Sequence, residues 1–334
     1  MRVFYFLKDI NNVTGYYYDI IFESLKKNGH DIEALDNDAY SLIAKSIKKD
    51  DYILATSLFT FFKLYVLGYR KFIYWFQGVS PEENYVLIHS KLRFHIYSLI
   101  EKLEIKKVDY KIGVSRYLFN HFERKYHLEI DDRTTFIMPC FNANIKKEHF
   151  FIPGKYERNT FCYAGSMRAW QGFDNILSYY SKIESLYPDV FFKIYTSDVE
   201  IAKEKVQKSG IRNYSIGSVP IDKVDEALSD CKFGFLLRED TIINNVATPT
   251  KLGTYLGNGL IPIFTSAIHA YRDLAADYSF LCCLKELDDT QTIEDYLSDD
   301  ISAEDVYREF SSVFNSYFNR EEYVKQLQEF LRLK

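Results

Sequence analysis

Short, continuous apolar runs alternate with amphipathic stretches along the chain, and that alternation restricts what it can fold into. The runs are Arg2–Leu7, Asp31–Leu35, Asp51–Thr56, Lys71–Phe76, Tyr110–Val114 and Thr135–Pro139. A second set follows: Thr160–Tyr163, Val190–Thr196, Tyr214–Ser218, Cys231–Leu237 and Ile261–Thr265. Most are apolar at successive positions, so both faces of such a strand must be covered. That is the signature of a parallel sheet flanked by helices. The stretches between them have helical spacing. Gly15–Asn28 places Tyr18, Ile21 and Leu25 on one face, ends in Lys26 and Lys27, and stops at Gly29. Helices are also expected over Tyr85–Lys106 (with a break), Arg116–Tyr126, Phe173–Leu186, Val199–Ser209, Ile221–Ser229, Pro249–Gly257 and Glu304–Lys334. The class is α/β.

The pattern pauses near Phe150–Arg158, which contains Pro153 and Gly154, and then restarts. At roughly 150 residues per domain, 334 residues make two. The expected division is two Rossmann-like domains, 1–150 and 151–315, followed by a helix over 316–334 that packs back toward the first. Five cysteines without CxxC spacing suit neither a disulfide framework nor a zinc site, and point to a reducing cytosol. The opening MRVFYFLKDINN reads as a β-strand rather than a signal peptide. No window approaches the ~18 uncharged apolar residues of a membrane span. A net charge of −5 argues against a dedicated nucleic-acid binder. The charge is uneven: Phe61–Leu128 carries 12 Lys/Arg against 6 Asp/Glu, whereas Lys285–Lys334 carries 6 against 13.

Ligands of open parallel sheets bind at the carboxyl ends of the strands, so the strand-to-helix turns are where chemistry is sought. GxGxxG, GxxxxGK[ST] and GxSxG are all absent, which argues against a dehydrogenase, a P-loop NTPase and a nucleophile-elbow hydrolase. Two turns in the second half are richer. In FCYAGSMRAWQGFD, residues 161–174, Gly165 and Ser166 allow close approach of a ligand to the backbone. Farther on, Arg238 follows a buried strand and Lys251 opens a helix, with Asn244, Thr248, Pro249, Thr250, Thr254 and Tyr255 around them. Two cations beside free backbone N–H groups suit a diphosphate. In the first half, Glu82 and Glu83 follow a strand end, as an acceptor-orienting group or base, or as the acidic first turn of a helix with Pro81 at its start. Gly15 follows the first strand. The basic and aromatic stretch Phe61–Phe72 suits an anionic membrane surface, or the solvated helix faces of an ordinary domain.

The turn Gly165-Ser166 to Gln171-Gly172-Phe173 resembles the G-x-L-x-x-x-K-G turn of family-4-type glycosyltransferases. Pro249-Thr250-Lys251 through Tyr255-Leu256 to Gly259-Leu260-Ile261-Pro262-Ile263 is similar to their P-x-K-x-x-E-Y-L-A-x-G-x-P-V-I segment. Val114-Ser115-Arg116-Tyr117-Leu118 resembles a strand end of their first domain. The resemblance implies the GT-B fold, two Rossmann-like domains facing across a cleft. A nucleotide-diphosphate sugar would sit on the second domain, a glycan or lipid-linked glycan acceptor on the first, with no metal or cofactor. It implies sugar transfer with retention, in bacterial surface polysaccharide synthesis, in the cytoplasm or peripherally at the inner face of the membrane. Arg238 and Lys251 would hold the diphosphate, and Gly15, Gly165, Ser166, Arg168, Gln171, Asn244, Thr248, Pro249, Thr250, Thr254 and Tyr255 would line the donor site. Departures are visible. Ser166 and Gln171 stand where the family has Arg and Lys, and Arg168 is offset by two residues. Thr254 replaces the ribose-binding carboxylate, and Val246 replaces the acidic residue eight positions earlier. A non-catalytic nucleotide-sugar-binding module and a nucleotide-sugar 2-epimerase are the alternatives.

Overall fold

The computed structural model describes residues 1–11, 13–35, 46–287, 289–298 and 300–333. Asn12 and Lys334, which fall within expected segments, lie outside them. The chain divides into two units, Met1–Cys140 with Asn319–Lys334, and Phe141–Phe318.

In the first unit, β1 (Arg2–Phe6), β2 (Asp31–Leu35), β3 (Tyr52–Ala55), β4 (Phe72–Phe76), β5 (Tyr110–Gly113) and β6 (Thr135–Ile137) form a sheet in the order β2-β1-β3-β4-β5-β6. Every pairing is parallel. Its helices are α1 (Gly15–Lys27), α2 (Leu58–Val66), α3 (Ser80–Ile88), α4 (Lys91–Lys107) and α5 (Arg116–Tyr126). All five residues of β4 are buried, which explains its unbroken apolar run. Trp75 packs on Tyr17 and Tyr18 of α1, with ring centroids 4.9 and 6.0 Å away, so the aromatic excess goes into the core. The helix expected over Tyr85–Lys106 is two helices that begin earlier. The break is at His89, which turns left-handed at φ 55°, and Ser90 then caps α4 through the Arg93 N–H.

The helix Arg320–Phe330 completes this unit by packing on α1. Ser24 donates to the Val324 carbonyl at 3.0 Å, and Asn28 donates to the Gln328 and Leu331 carbonyls. Val324, Leu327 and Leu331 are buried.

In the second unit, β7 (Thr160–Ala164), β8 (Phe191–Tyr195), β9 (Tyr214–Gly217), β10 (Phe233–Leu236), β11 (Ile261–Thr265) and β12 (Cys282–Leu284) form a parallel sheet in the order β12-β11-β10-β7-β8-β9. Its helices are α6 (Lys147–Phe150), α7 (Phe173–Leu186), α8 (Val199–Ser209), α9 (Val224–Leu228), α10 (Ile242–Asn245), α11 (Lys251–Gly257), α12 (His269–Ala275), α13 (Gln291–Ser298) and α14 (Ala303–Asn315). Phe161 stacks on Phe233 and Phe235, at 4.7 and 5.2 Å between centroids, and joins the two central strands. The first unit ends ten residues before the expected join at 150, because α6 is built into the second. Phe150 is buried against Tyr307 and Phe310, and His149 Nδ1 lies 2.7 Å from Asn258 Oδ1. Among the described residues, no helix is long and apolar enough to cross a membrane.

Lys155 anchors the start of this unit. It is almost fully buried, and its ammonium donates to the His149 and Asn258 carbonyls at 2.9 and 2.6 Å. Burial pulls its pKa down to about 7. Between that value and the ordinary lysine range, the unfolded chain binds a proton that the folded chain does not, so stability rises with pH in this window. Lys155→Met removes the group. In urea unfolding, the stability of the wild type should climb relative to Lys155→Met by on the order of 1 kcal/mol per pH unit from about pH 7 to about pH 9.5. Parallel pH profiles would contradict the assignment.

Candidate anion-binding site

The chain leaves β10 through Leu237 and Arg238, and the backbone there is fixed from the next strand. The Arg238 N–H donates to Thr265 Oγ1 at 3.0 Å, and the Thr265 hydroxyl donates to the Arg238 carbonyl at 2.7 Å. The side chain is 4 % exposed. One terminal nitrogen donates to Gln171 Oε1 at 2.8 Å, the other donates to the Trp170 carbonyl, and Nε has no partner. Lys251, the first residue of α11, donates from Nζ to the same Gln171 Oε1 at 2.6 Å and lies 4.2 Å over the Tyr163 ring.

Two cations thus share one neutral oxygen, and among the described residues neither is paired with a carboxylate. Burial, reinforced by the Arg238 guanidinium, holds the Lys251 ammonium well below its ordinary range. Burial brings Arg238 down to about 10. Two unit charges about 4 Å apart repel by a few kcal/mol at the effective dielectric of a protein surface. A ligand with several anionic oxygens would turn that repulsion into attraction and supply the missing acceptors.

Small residues make the arrangement possible. A Cβ on Gly165 would lie 2.7 Å from Lys251 Cε, so any side chain there displaces the lysine. Gly172 has φ +66°, and a Cβ on it would collide with the Leu237 carbonyl oxygen, so the turn that presents Gln171 requires glycine. The structure also brings in Tyr163, the Trp170 carbonyl and Thr265, which sequence reasoning did not place in the site. Their roles depend on side-chain direction, and no motif carries that.

The remaining donor-site residues separate into two groups. Tyr255 is fully buried: its hydroxyl donates to the Phe235 carbonyl at 3.1 Å and accepts from the Ala164 N–H at 3.4 Å. It braces β7 against β10 beneath Gly234, where a Cβ would come within 2.6 Å of its ring, so its hydroxyl is engaged with the backbone of both strands. Asn244 and Thr248 are buried as well, and Asn244 Nδ2 donates to the Glu239 carbonyl and Thr241 Oγ1, which shapes the loop. The Pro249 carbonyl accepts from the Tyr271 hydroxyl at 2.8 Å. Thr250 and Thr254 are half-buried, and the Thr254 hydroxyl donates back to the Thr250 carbonyl at 3.4 Å. The Ser166 carbonyl accepts from the Tyr163 hydroxyl at 2.6 Å. Arg168 is exposed, with its guanidinium 5.4 Å from the Trp170 ring, and does not join the buried pair.

In the first unit the two adjacent glutamates diverge. Glu83 accepts from the Val79 N–H at 3.2 Å and caps α3, the helix-start role. Glu82 pairs with Lys125 of α5 at 2.9 Å and lies 3.2 Å from His121 Nε2, so it is engaged rather than free as a base. Gly15 opens α1, and a Cβ there would meet only Ile10 at an ordinary 3.6 Å, so no close approach demands glycine. The basic-aromatic stretch Phe61–Phe72 divides: Phe61, Leu64, Tyr69 and Phe72 are buried, while Val66 and Leu67 are exposed at 67 and 46 % beside exposed Lys63 and Arg70, with Arg70 over Tyr65 at 4.1 Å. Further exposed apolar surface lies on α3 and α4. Leu87, Leu92 and Leu99 are 61, 70 and 69 % exposed, and Lys91, Arg93 and His95 are exposed among them.

No family model and no curated protein matches the chain in sequence. Solved structures do match in fold. Anabaena HepE, in complex with UDP and glucose, superposes with a TM-score of 0.70 at 11 % identity over 99 % of both chains. An E. coli trehalose-6-phosphate structure bound with UDP-2-fluoro glucose gives 0.67 at 8 % identity, over 98 % of this chain and 97 % of that one. A mutant of S. aureus TarM, in complex with fondaparinux, alpha-GlcNAc-glycerol and UDP, gives 0.62 at 11 % identity over 88 % of this chain. The present chain spans only 58 % of the TarM length. With two six-stranded parallel sheets, each flanked by helices, the chain has the GT-B fold of these proteins.

The site predicts a conflict between stability and binding. Lys251→Met removes a buried, unpaired cation at nearly constant volume. The ligand-free variant should melt about 2–4 °C higher than the wild type, the effect of about 1 kcal/mol in a domain of this size. Inorganic pyrophosphate should raise the melting temperature of the wild type and leave the variant unmoved. A pyrophosphate shift of equal size in both would remove Lys251 from the site.

Proposed function

We propose that the chain is a nucleotide-sugar glycosyltransferase that moves a sugar from a nucleoside-diphosphate donor to a glycan or lipid-linked glycan acceptor. The observation that carries this reading is the buried Arg238–Lys251 pair on one Gln171 oxygen, without a carboxylate between them. As the bond from the anomeric carbon to the diphosphate oxygen breaks, negative charge grows on the leaving group. Two preset cations in a dry setting stabilise that charge without reorganising, the role a metal plays in other transferases. Gln171 keeps both nitrogens aimed at one place and adds no charge of its own. Thr254, half-buried on α11, supplies a neutral hydroxyl for the nucleotide. The GT-B fold, shared with proteins solved with UDP, supports the same reading. Retention of the anomeric configuration follows from the resemblance of the two turns, and the product anomer seen by NMR tests it.

A lipid-linked acceptor at an anionic membrane surface is the finer part of the proposal. It is supported by exposed Leu87, Leu92 and Leu99 beside Lys91, Arg93 and His95 on α3 and α4, apolar side chains that can enter a bilayer interface next to cations that meet its headgroups. That placement suits bacterial surface polysaccharide synthesis at the inner face of the membrane.

Thermal-shift screening against UDP, GDP, CMP and dTDP with their sugars identifies the donor, because a ligand of the native state raises its stability. With the matching donor, Arg238→Ala and Lys251→Ala should each lower transfer by about 10²–10³-fold, the usual loss when one group stabilising a developing charge is removed. Wild-type rates in both variants would sink the assignment. A nucleotide-induced shift without transfer or donor hydrolysis would instead favour the non-catalytic binding module. Leu92→Asp with Leu99→Asp should weaken sedimentation with phosphatidylglycerol vesicles at least tenfold and leave donor binding unchanged. Undiminished sedimentation would refute the membrane surface.

A further inference from the structure

The first unit holds an electrostatic imbalance of the opposite sign. A pocket of about 330 Å³ opens at the carboxyl ends of β3 and β4, where Thr56 and Gln77 meet Glu83 of α3 and Glu101 and Glu104 of α4. Glu101 and Glu104 are one helical turn apart, and both are almost fully buried, at 2 and 1 % exposure. Glu101 is satisfied: its Oε2 accepts from Lys125 at 2.9 Å and from the Tyr126 hydroxyl at 2.6 Å. Glu104 is not. Its Oε1 is buried and has no hydrogen-bond partner.

The cation supply around the pocket falls short of the carboxyl groups. Lys125 is shared between Glu101 and Glu82, and His121 lies against Glu82. Glu83 has only the Val79 N–H, and Glu104 has the Tyr74 hydroxyl, with Asp9 adding a further negative charge near that tyrosine. Among the described residues, Glu83 and Glu104 therefore border the pocket without a counter-ion. Burial raises all three glutamates that line it, Glu104 the furthest. A ligand that restores ionisation must bring positive charge and several donors. Among the described residues, no three acidic, histidine or cysteine side chains are grouped as a metal ion needs. An ammonium group answers the same demand with three donors and no fixed coordination geometry. Thr56, Gln77 and Ser80 on the rim supply partners for hydroxyl groups.

We propose that this pocket binds a small hydroxylated amine, of amino-sugar size, whose ammonium group is held by Glu104 with Glu83 as the second carboxylate. The site lies wholly within the first unit, and its occupancy does not depend on the function proposed for Arg238 and Lys251.

Calorimetric titration of the full chain with glucosamine, N-acetylglucosamine and glucose tests it. Glucosamine should bind at least tenfold more tightly than the acetylated and hydroxyl counterparts, which differ from it at the one group the carboxylates read. Glu104→Gln and Glu83→Gln should each erase that preference, and a melting curve verifies that each variant is folded. Glu104→Gln puts a neutral amide where a buried acid lacked a partner, so it should melt no lower than the wild type. Equal affinity for the three compounds, no detectable binding of glucosamine up to its solubility, or an unchanged preference in folded Glu104→Gln would each overturn the proposal. If a variant does not fold, the comparison on the wild-type protein still decides it.

Discussion

Much of the second unit around β7 and β10 is arranged about one costly contact, the placing of Arg238 and Lys251 on a single amide oxygen with, among the described residues, no carboxylate paired to either. Burying two like charges is unfavourable unless their surroundings are fixed. Thr265 ties the Arg238 backbone to the neighbouring strand through two hydrogen bonds. Gly165 leaves the volume that the Lys251 stem occupies, and Tyr163 puts an aromatic face beneath its ammonium. Gly172 allows the left-handed turn that presents Gln171. Tyr255, under Gly234, holds β7 and β10 at the spacing the contact needs. Each of these residues is unremarkable alone. Together they keep two cations where water would otherwise draw them apart.

The fold was legible because β-strands covered on both faces leave unbroken apolar runs, and β4 and β11 are of that kind. What escaped notice lacked such a signal. α2, Leu58–Val66, is so apolar that its helical period is hidden, and β12 is three residues long and carries adjacent cysteines. A break in the Tyr85–Lys106 helix was expected, but its position at His89 was not, because it turns on a left-handed residue that is not glycine. The join between units moved to Cys140 because Phe150 and His149 find their partners in the second unit, and a pause in periodicity does not reveal partners.

In the candidate site, the two cations and Gly165 could be found from residue type at strand-to-helix turns. Gln171 reads differently in structure than in sequence. As a departure from the resembling turn it looked like a loss of charge. Between Arg238 and Lys251 it is the neutral acceptor that lets both remain, and a lysine there would place a third cation in the same volume. Four of the expected positions have their polar atoms engaged within the protein. Tyr255, Asn244, Glu82 and Glu83 have the right chemistry on the right segments, but their side chains turn inward or toward a neighbouring helix. Sequence spacing gives the face of an element, and which way the chain approaches a turn decides the rest.

The two units share a thermodynamic design with opposite signs. Among the described residues, Arg238 and Lys251 in the second unit have no carboxylate partner, and in the first unit Glu104 keeps a bare oxygen with few cations nearby. Neither helps the empty protein fold. A chain with an apolar core on this scale can carry such groups, because residues such as Phe161, Trp75 and Phe235 supply the burial that offsets them. Isosteric neutral replacements at Lys251 and Glu104 would each remove a buried titratable group that the empty fold leaves poorly satisfied. The strain has direction. A ligand that brought the complementary charge would relieve that cost where the empty fold carries it.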